Sequence, residues 1–307
     1  MKIYVAGHRG LVGSAIVRKI ESDGVHTWIG KSRDELDLFD FEKVLAFIKN
    51  EKPDAVIVAA AKVGGIGANS KYPVEFLNQN LRIELNLLEA SHAADVNRLL
   101  FLGSSCIYPK FSKQPITEES LLTGELEPTN EPYAIAKIAG LKMVEAYSRE
   151  YGRDWISAMP TNIYGPGDNF DVETAHVLPA LINRFHEAKL RSSPNVTLWG
   201  SGNPLREFLH SDDLASACIS LLEFWHSPLH VNVGTGQDIS IKDLAKLISE
   251  TVGYSGEILW DSSMPDGTPK KLLDVSKLRD LGWESSIDLK AGLADTYGWY
   301  ISNLTRV

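Results

Sequence analysis

Two cysteines, Cys106 and Cys218, are too few to staple a chain of 307 residues, and the want of a disulfide framework fits a reducing cytoplasmic setting. Long apolar runs are missing too: none reaches the roughly 18 residues of a membrane helix. The opening Met1-Lys2-Ile3-Tyr4-Val5-Ala6-Gly7 breaks at once into His8 and Arg9, unlike a signal peptide. Positive charge is short, with 31 Lys and Arg against 40 Asp and Glu and a net charge of −9, which argues against nucleic acid as the main partner. A phosphorylated ligand held in a local basic pocket stays open. No repeat or low-complexity tract occurs, and no His, Cys or Asp spacing calls for a metal. The expected class is a soluble, membrane-free globular protein, and 44% hydrophobic residues over this length supply a core without disulfides.

The first half alternates β-rich runs with helix-period segments. Ile3–Ala6, His26–Ile29, Ala55–Ala60, Arg98–Gly103 and Asp154–Met159 read as strands. Gly13–Ser22, Phe41–Asn50, Pro73–Ala94 and Pro132–Tyr151 read as helices. This predicts an α/β fold, a Rossmann-type doubly wound parallel sheet. After Pro160 the pattern changes. Val177–Lys189, Leu214–Leu222, Ile241–Thr251 and Leu289–Asn303 read as helices, Arg191–Ser211 is rich in Gly, Pro and polar residues, and Pro265–Pro269 is a turn-rich loop. The expected division is a dinucleotide-binding domain over 1–160, completed by parts of 207–240, and a smaller, mainly substrate-binding α/β region over 161–307.

Gly7, His8, Arg9, Gly10, Leu11, Val12 and Gly13 link the first strand to the first helix in a GxxGxxG spacing. Such glycines allow a tight turn and let a pyrophosphate approach the backbone and the helix N-terminus. At the end of the second strand, where an NAD enzyme usually carries Asp or Glu for the ribose hydroxyl, stand Lys31, Ser32 and Arg33. Arg33 with Arg9 would suit a 2′-phosphate, pointing to NADP(H), although Asp34 and Glu35 follow closely and the same cations would also serve as solvated surface.

Tyr133 and Lys137 lie four residues apart, on one face of a helix. A free phenol has a pKa near 10, and a nearby ammonium would favour the phenolate, so Tyr133 is a candidate general acid or base. Ser104 stands at the C-terminal end of the fourth strand, the edge at which open α/β sheets hold their ligands.

The set Gly7, Gly10, Gly13, Ser104, Tyr133 and Lys137 resembles the extended short-chain dehydrogenase/reductase family, many of whose members act on nucleotide-activated sugars. Asp37-Leu38, Ala59-Ala60-Ala61, Asn162–Pro166, Arg206–His210 and Asn232–Gly234 are similar to it as well, so the likeness spans nearly the whole chain. The resemblance implies that Asp37, Leu38, Ala60, Lys137, Pro160, Asn162, Ile163 and His176 line the cofactor. Within the family, Ala61–Ile66, Gly103–Pro109, Glu127–Lys137 and Pro265–Asp274 resemble a branch that acts on GDP-4-keto-6-deoxy-D-mannose. Members of that branch epimerise C3 and C5 and then reduce the C4 ketone with NADPH.

The resemblance also implies that Cys106 and His176 exchange protons with the sugar. Read alone, Cys106 would more often be a small buried hydrophobe and His176 an ordinary loop histidine. Cys218, in an apolar helix, is expected in the core. By the same resemblance Arg184, Trp199, Arg206 and Asp266 contact the substrate. Each arginine taken alone could equally be a surface ion pair, and Trp199 could be packing. The family often dimerises through a four-helix interface, and Pro73–Ala94 with Pro132–Tyr151 are the helices that could form one. The competing readings are another nucleotide-sugar epimerase or reductase and a non-catalytic NADP-binding regulator.

Overall fold

The computed structural model describes residues 1–171, 174–264 and 266–304, so Pro265 of the turn-rich loop lies outside it. In chain order come β1 (Lys2–Ala6), α1 (Leu11–Asp23), β2 (Thr27–Ile29), α2 (Phe41–Glu51), β3 (Ala55–Val58), α3 (Ile66–Lys71), α4 (Pro73–Ala93), β4 (Arg98–Leu102), α5 (Glu131–Tyr151) and β5 (Asp154–Pro160). There follow β6 (Asn162–Tyr164), α6 (Val177–Leu190), β7 (Asn195–Trp199), β8 (Leu205–Arg206), β9 (Phe208–His210), α7 (Ser211–Phe224) and β10 (Val231–Val233). The chain closes with β11 (Ile239–Ser240), α8 (Ile241–Val252), β12 (Glu257–Asp261), β13 (Lys270–Lys271), α9 (Ser276–Asp280) and α10 (Leu289–Ser302).

Six strands form one sheet in the order β10-β5-β4-β3-β1-β2, and every pair is parallel. Such a sheet is covered on both sides, and the strand residues divide accordingly. Ile3, Val5, Ala55, Ile57, Leu100 and Ile156 face one core with α1 and α7. Tyr4, Val56, Val58, Leu99, Phe101 and Trp155 face the other with α2, α4 and α5. Each fully buried aliphatic side chain contributes about 1.5–3 kcal/mol, so these two layers hold the sheet edge above them rigid. The chain runs from β1 to β2 on one side and then to β3 on the other, placing the topological switch point between β1 and β3.

The remaining strands are short. They form a β11-β8-β13 sheet and two pairs, β12-β7 and β6-β9. A third core joins α6, α8 and α10 through Leu178, Ile182, Phe185, Leu244, Ile248, Leu293 and Tyr300. Stretches of two to five residues show too little periodicity to be read as strands, which is why 191–211 looks irregular in the sequence. The main sheet borrows β10 from beyond residue 230, and α7 packs its Leu214, Ala215 and Cys218 against α1. Cys218 is fully buried, as expected, and burial pushes its thiol up to about 12. Among the described residues no helix is long and apolar enough to cross a membrane.

Candidate active site

The glycine loop sits at the switch point. Gly7 has φ +89°, a left-handed conformation, and a Cβ there would stand 2.7 Å from the Ala60 nitrogen. A side chain at Gly13 would collide with the Gly7 carbonyl. These two glycines therefore let β1, β3 and α1 close on one another. Gly10 is different: its Cβ would meet nothing nearer than the Gly7 oxygen at 3.5 Å. It is exposed, and it caps α1 without a side-chain bond, so α1 starts at Leu11, within the loop. The protein itself makes no demand for glycine at 10; a phosphate seated against the open N-terminus of α1 would. The loop thus fits a dinucleotide.

The flanking residues divide. Arg9 and Arg33 are exposed, at the ends of the adjacent strands β1 and β2. Lys31 is instead paired with Glu35 at 3.3 Å, and Glu35 also accepts from the Ser32 N–H and hydroxyl. His8 packs on Trp28, with ring centroids 5.6 Å apart, and it fills the space that a side chain at Gly30 would need. Asp37 accepts from the Phe39 N–H, and the Leu38 carbonyl accepts from Asn86. Pro160 closes β5; Asn162 donates to the Glu207 carbonyl at 2.8 Å, and Ile163 packs on the first core.

Ser104 lies just past β4, after Gly103, and accepts from the Cys106 N–H at 3.2 Å in a single 3₁₀ turn. That turn sets Cys106 against Tyr133, with Phe76 and Ala68 behind them. The Cys106 sulfur accepts from Asn130 at 3.2 Å and lies 3.6 Å from the Lys271 ammonium. Burial pushes the Tyr133 phenol well above its ordinary value; Cys106 and Glu84 push it further, and a hydrogen bond with Ser104 pulls it back.

Lys137 lies one turn along the same buried face of α5. Lys137 is 2% exposed and its ammonium donates to the Leu102 carbonyl at 3.0 Å, sits 4.8 Å over the Phe101 ring and pairs with the buried Glu84 at 3.0 Å. Its charge is thus paired with Glu84. A protonated phenol beside a serine hydroxyl can bind a carbonyl oxygen and give it a proton.

His176 occupies the N-cap of α6. Its ring opens to solvent by area, yet the protein crowded around it lowers the imidazole, and Lys271 lowers it further. Lys271 therefore faces both Cys106 and His176. The substrate-end residues also converge. Arg184 donates to Thr197 of β7, whose last residue is the exposed Trp199. Asp266 accepts from the Ser201 N–H at 2.8 Å and its hydroxyl at 2.6 Å, and Arg206 of β8 lies against Gly267. Asp266 is thus already engaged by the turn after β7.

Comparison with known proteins gives the family and the fold. Residues 3–234 match the model of the NAD dependent epimerase/dehydratase family. The chain belongs to that family. It is 55% identical to GDP-L-fucose synthase of Escherichia coli K12, over 99% of this chain and 98% of the relative. It is 56% identical to GDP-L-fucose synthase 1 of Arabidopsis thaliana, over 99% and 94%. A GDP-L-fucose synthetase from Naegleria fowleri, solved bound to NADP, superposes with a TM-score of 0.92 at 27% identity, covering 100% of this chain and 95% of that one. The resemblance read from the motifs and the doubly wound fold are both borne out.

Three side chains at this family site escape a reading by motif. Asn130 was visible only as part of the Glu127–Lys137 segment, and its bond to sulfur appears only in three dimensions. Lys271 comes from the far end of the chain, carried in where β13 pairs with β8. Glu84 reads as one more charge on a long helix; its one available signal is that it shares a face with the apolar Phe76, Leu87 and Leu88.

Proposed function

We propose that this protein is an NADPH-dependent epimerase-reductase that converts GDP-4-keto-6-deoxy-D-mannose to GDP-L-fucose. The observation that carries the reading is the seating of Cys106 beside Tyr133, within reach of Asn130 and Lys271 and next to Ser104. A carbonyl-reducing pair needs no thiol. A thiol and an imidazole around the same ring are what proton exchange at carbon requires.

The C4 ketone acidifies the hydrogens on C3 and C5. Cys106 and His176 remove a proton from each carbon and return one to the opposite face. Ser104 and Tyr133 hold the C4 oxygen and stabilise the negative charge that gathers there. The lowered imidazole of His176 keeps it neutral, able to accept a proton. When bound, NADPH supplies the hydride for C4, and Tyr133 gives its proton to the resulting alkoxide. Gly7, Gly10, Gly13 and the N-terminus of α1 receive the pyrophosphate of the cofactor, Arg9 and Arg33 its 2′-phosphate, and Asp37, Leu38 and Ala60 the adenosine half. Lys137, Pro160, Asn162, Ile163 and His176 would hold the nicotinamide half. Arg184 and Arg206 bind the GDP pyrophosphate, with Trp199 and Asp266 beside the nucleotide.

The fold and chemistry fit a cytoplasmic homodimer. Leu85 of α4 and Ile135 of α5, about two-fifths exposed, offer those two helices as a four-helix interface with a second copy. Incubation with NADPH and GDP-4-keto-6-deoxy-D-mannose should give GDP-L-fucose with one NADPH consumed per sugar. Epimerised ketone with no NADPH consumed, or a reduced but unepimerised sugar, would overturn the assignment.

A further inference from the structure

The loop after β3 enters α3 through Val63-Gly64-Gly65-Ile66, and its two glycines meet different neighbours. Gly65, the N-cap of α3, has φ −66° and ψ 178°, a conformation open to any residue. What it needs is room. A Cβ there would collide with the Ala175 carbonyl oxygen and stand 3.3 Å from its carbon. The Gly65 N–H donates to the Thr174 carbonyl at 2.9 Å. Thr174 and Ala175 lead directly into His176, whose side chain makes no capping bond to α6, so the backbone before it sets where the ring starts. A Cβ at Gly64 would instead meet the Phe76 ring and the Ala68 Cβ, each at 3.1 Å. Phe76 packs edge-on against Tyr133, with ring centroids 6.3 Å apart. Asn69 of α3, 6% exposed, donates to both glycine carbonyls, at 2.7 Å to Gly64 and 3.0 Å to Gly65.

We infer that Gly65 is a positioning residue for epimerisation: its bare backbone lets the Thr174–Ala175 segment close on the start of α3, and that contact fixes His176 in the site. The inference rests on the reading of His176 as one of the two proton carriers. A Cβ that meets a carbonyl oxygen has no flexible side chain to displace, so backbone must move. Asn69 ties down the glycine side through its two bonds, and the movement falls on Ala175 and with it His176. A shift of about 1 Å in a group that has to reach a ring carbon costs on the order of 10²-fold in rate. Ser104 and Tyr133 are carried by the end of β4 and by α5, so reduction of the C4 ketone does not depend on this contact. Gly64 lies against a side-chain ring that can give, and its Cβ would stand an ordinary 3.6 Å from the Thr174 oxygen. The same methyl group added one residue earlier therefore leaves Ala175 where it is.

The test compares wild type, Gly65→Ala and Gly64→Ala with NADPH and GDP-4-keto-6-deoxy-D-mannose, and reads the ratio of GDP-L-fucose to unepimerised reduced sugar by NMR. A ratio of products does not depend on how much of the protein is folded, so a general loss of stability leaves it unmoved. In Gly65→Ala it should fall about 10²-fold, while Gly64→Ala keeps the wild-type ratio. An unchanged ratio in Gly65→Ala, or an equal fall in both variants, would overturn the inference. Should Gly65→Ala fail to fold, Asn69→Leu keeps the shape of the side chain and removes both donors. Its ratio should fall about tenfold, and an unchanged one would overturn the inference in the same way. A second readout needs no substrate: the NMR signals of the His176 ring should move in Gly65→Ala and hold in Gly64→Ala. Unmoved signals in Gly65→Ala would overturn the inference. Failure of the wild type to form GDP-L-fucose would instead count against the proposed function and leave the His176 signals to judge Gly65.

Discussion

The two sides of the site are built differently. Tyr133 and Lys137 lie one turn apart on a buried face of α5, clamped between α4 and the sheet, with the ammonium bound by a carbonyl, a ring and a carboxylate. Cys106, His176 and Lys271 come from a 3₁₀ turn, a helix N-cap and a two-residue strand, and Lys271 reaches Cys106 where the β8–β13 pairing brings the C-terminal segment back. The first side is buried in the packed core between α4 and the sheet, and the second is drawn from three separate segments. Transfer of hydride and proton to one carbonyl demands fixed geometry, whereas serving C3 and C5 in turn demands groups that can gain and lose protons at two carbons.

The comparison breaks most sharply at Tyr133. Tyr133→Phe keeps the ring in its packing against Phe76 and removes the acid. NADPH oxidation should fall about 10³-fold or more while the melting temperature holds; near-normal oxidation would place the proton donor elsewhere. Next in size is Cys106→Ser, which keeps the shape but replaces a thiol with a far weaker acid. Deuterium uptake at the ring carbons from heavy water should drop about 10²-fold. Slow direct reduction to a 6-deoxy-mannose or 6-deoxy-talose type product persists, because Ser104 and Tyr133 are untouched. Normal uptake would make Cys106 structural. The smallest effect is expected from Lys271→Met. Its ammonium lowers the His176 imidazole, and a neutral ring is the form that accepts a proton. Without that cation the imidazole rises, so the acid limb of ring-proton exchange should move to higher pH by about half a unit. A shift toward lower pH would contradict the placement of Lys271.

The same division governs what could be read from the sequence. Tyr133 and Lys137 were legible because helix geometry turns a four-residue spacing into a shared face, and Gly7 and Gly13 because a strand–turn–helix crossing this tight leaves no room for a Cβ. The alternation of strands and helices up to β5 was legible for the same local reason. Lys271 was not, since its place depends on a pairing between segments some 65 positions apart. Glu84 looked like any surface charge on a 21-residue helix, and only packing against α5 shows that it is sealed in. Tyr133 shows the limit of reasoning from spacing alone. The lysine was found, but the burial that raises the phenol and the carboxylate that pairs the lysine show only in three dimensions.

The central claim is that one site carries out two separable reactions, and the most direct measurement withholds the hydride. Wild-type protein is mixed with GDP-4-keto-6-deoxy-D-mannose and oxidised cofactor in deuterated water, and the sugar is followed by mass spectrometry and NMR beside an enzyme-free control. The account predicts deuterium entering C3 and C5 well above the control with no fucose formed, and labelled GDP-L-fucose once NADPH is added. Deuterium that enters only when NADPH is being consumed, or not at all, would contradict it.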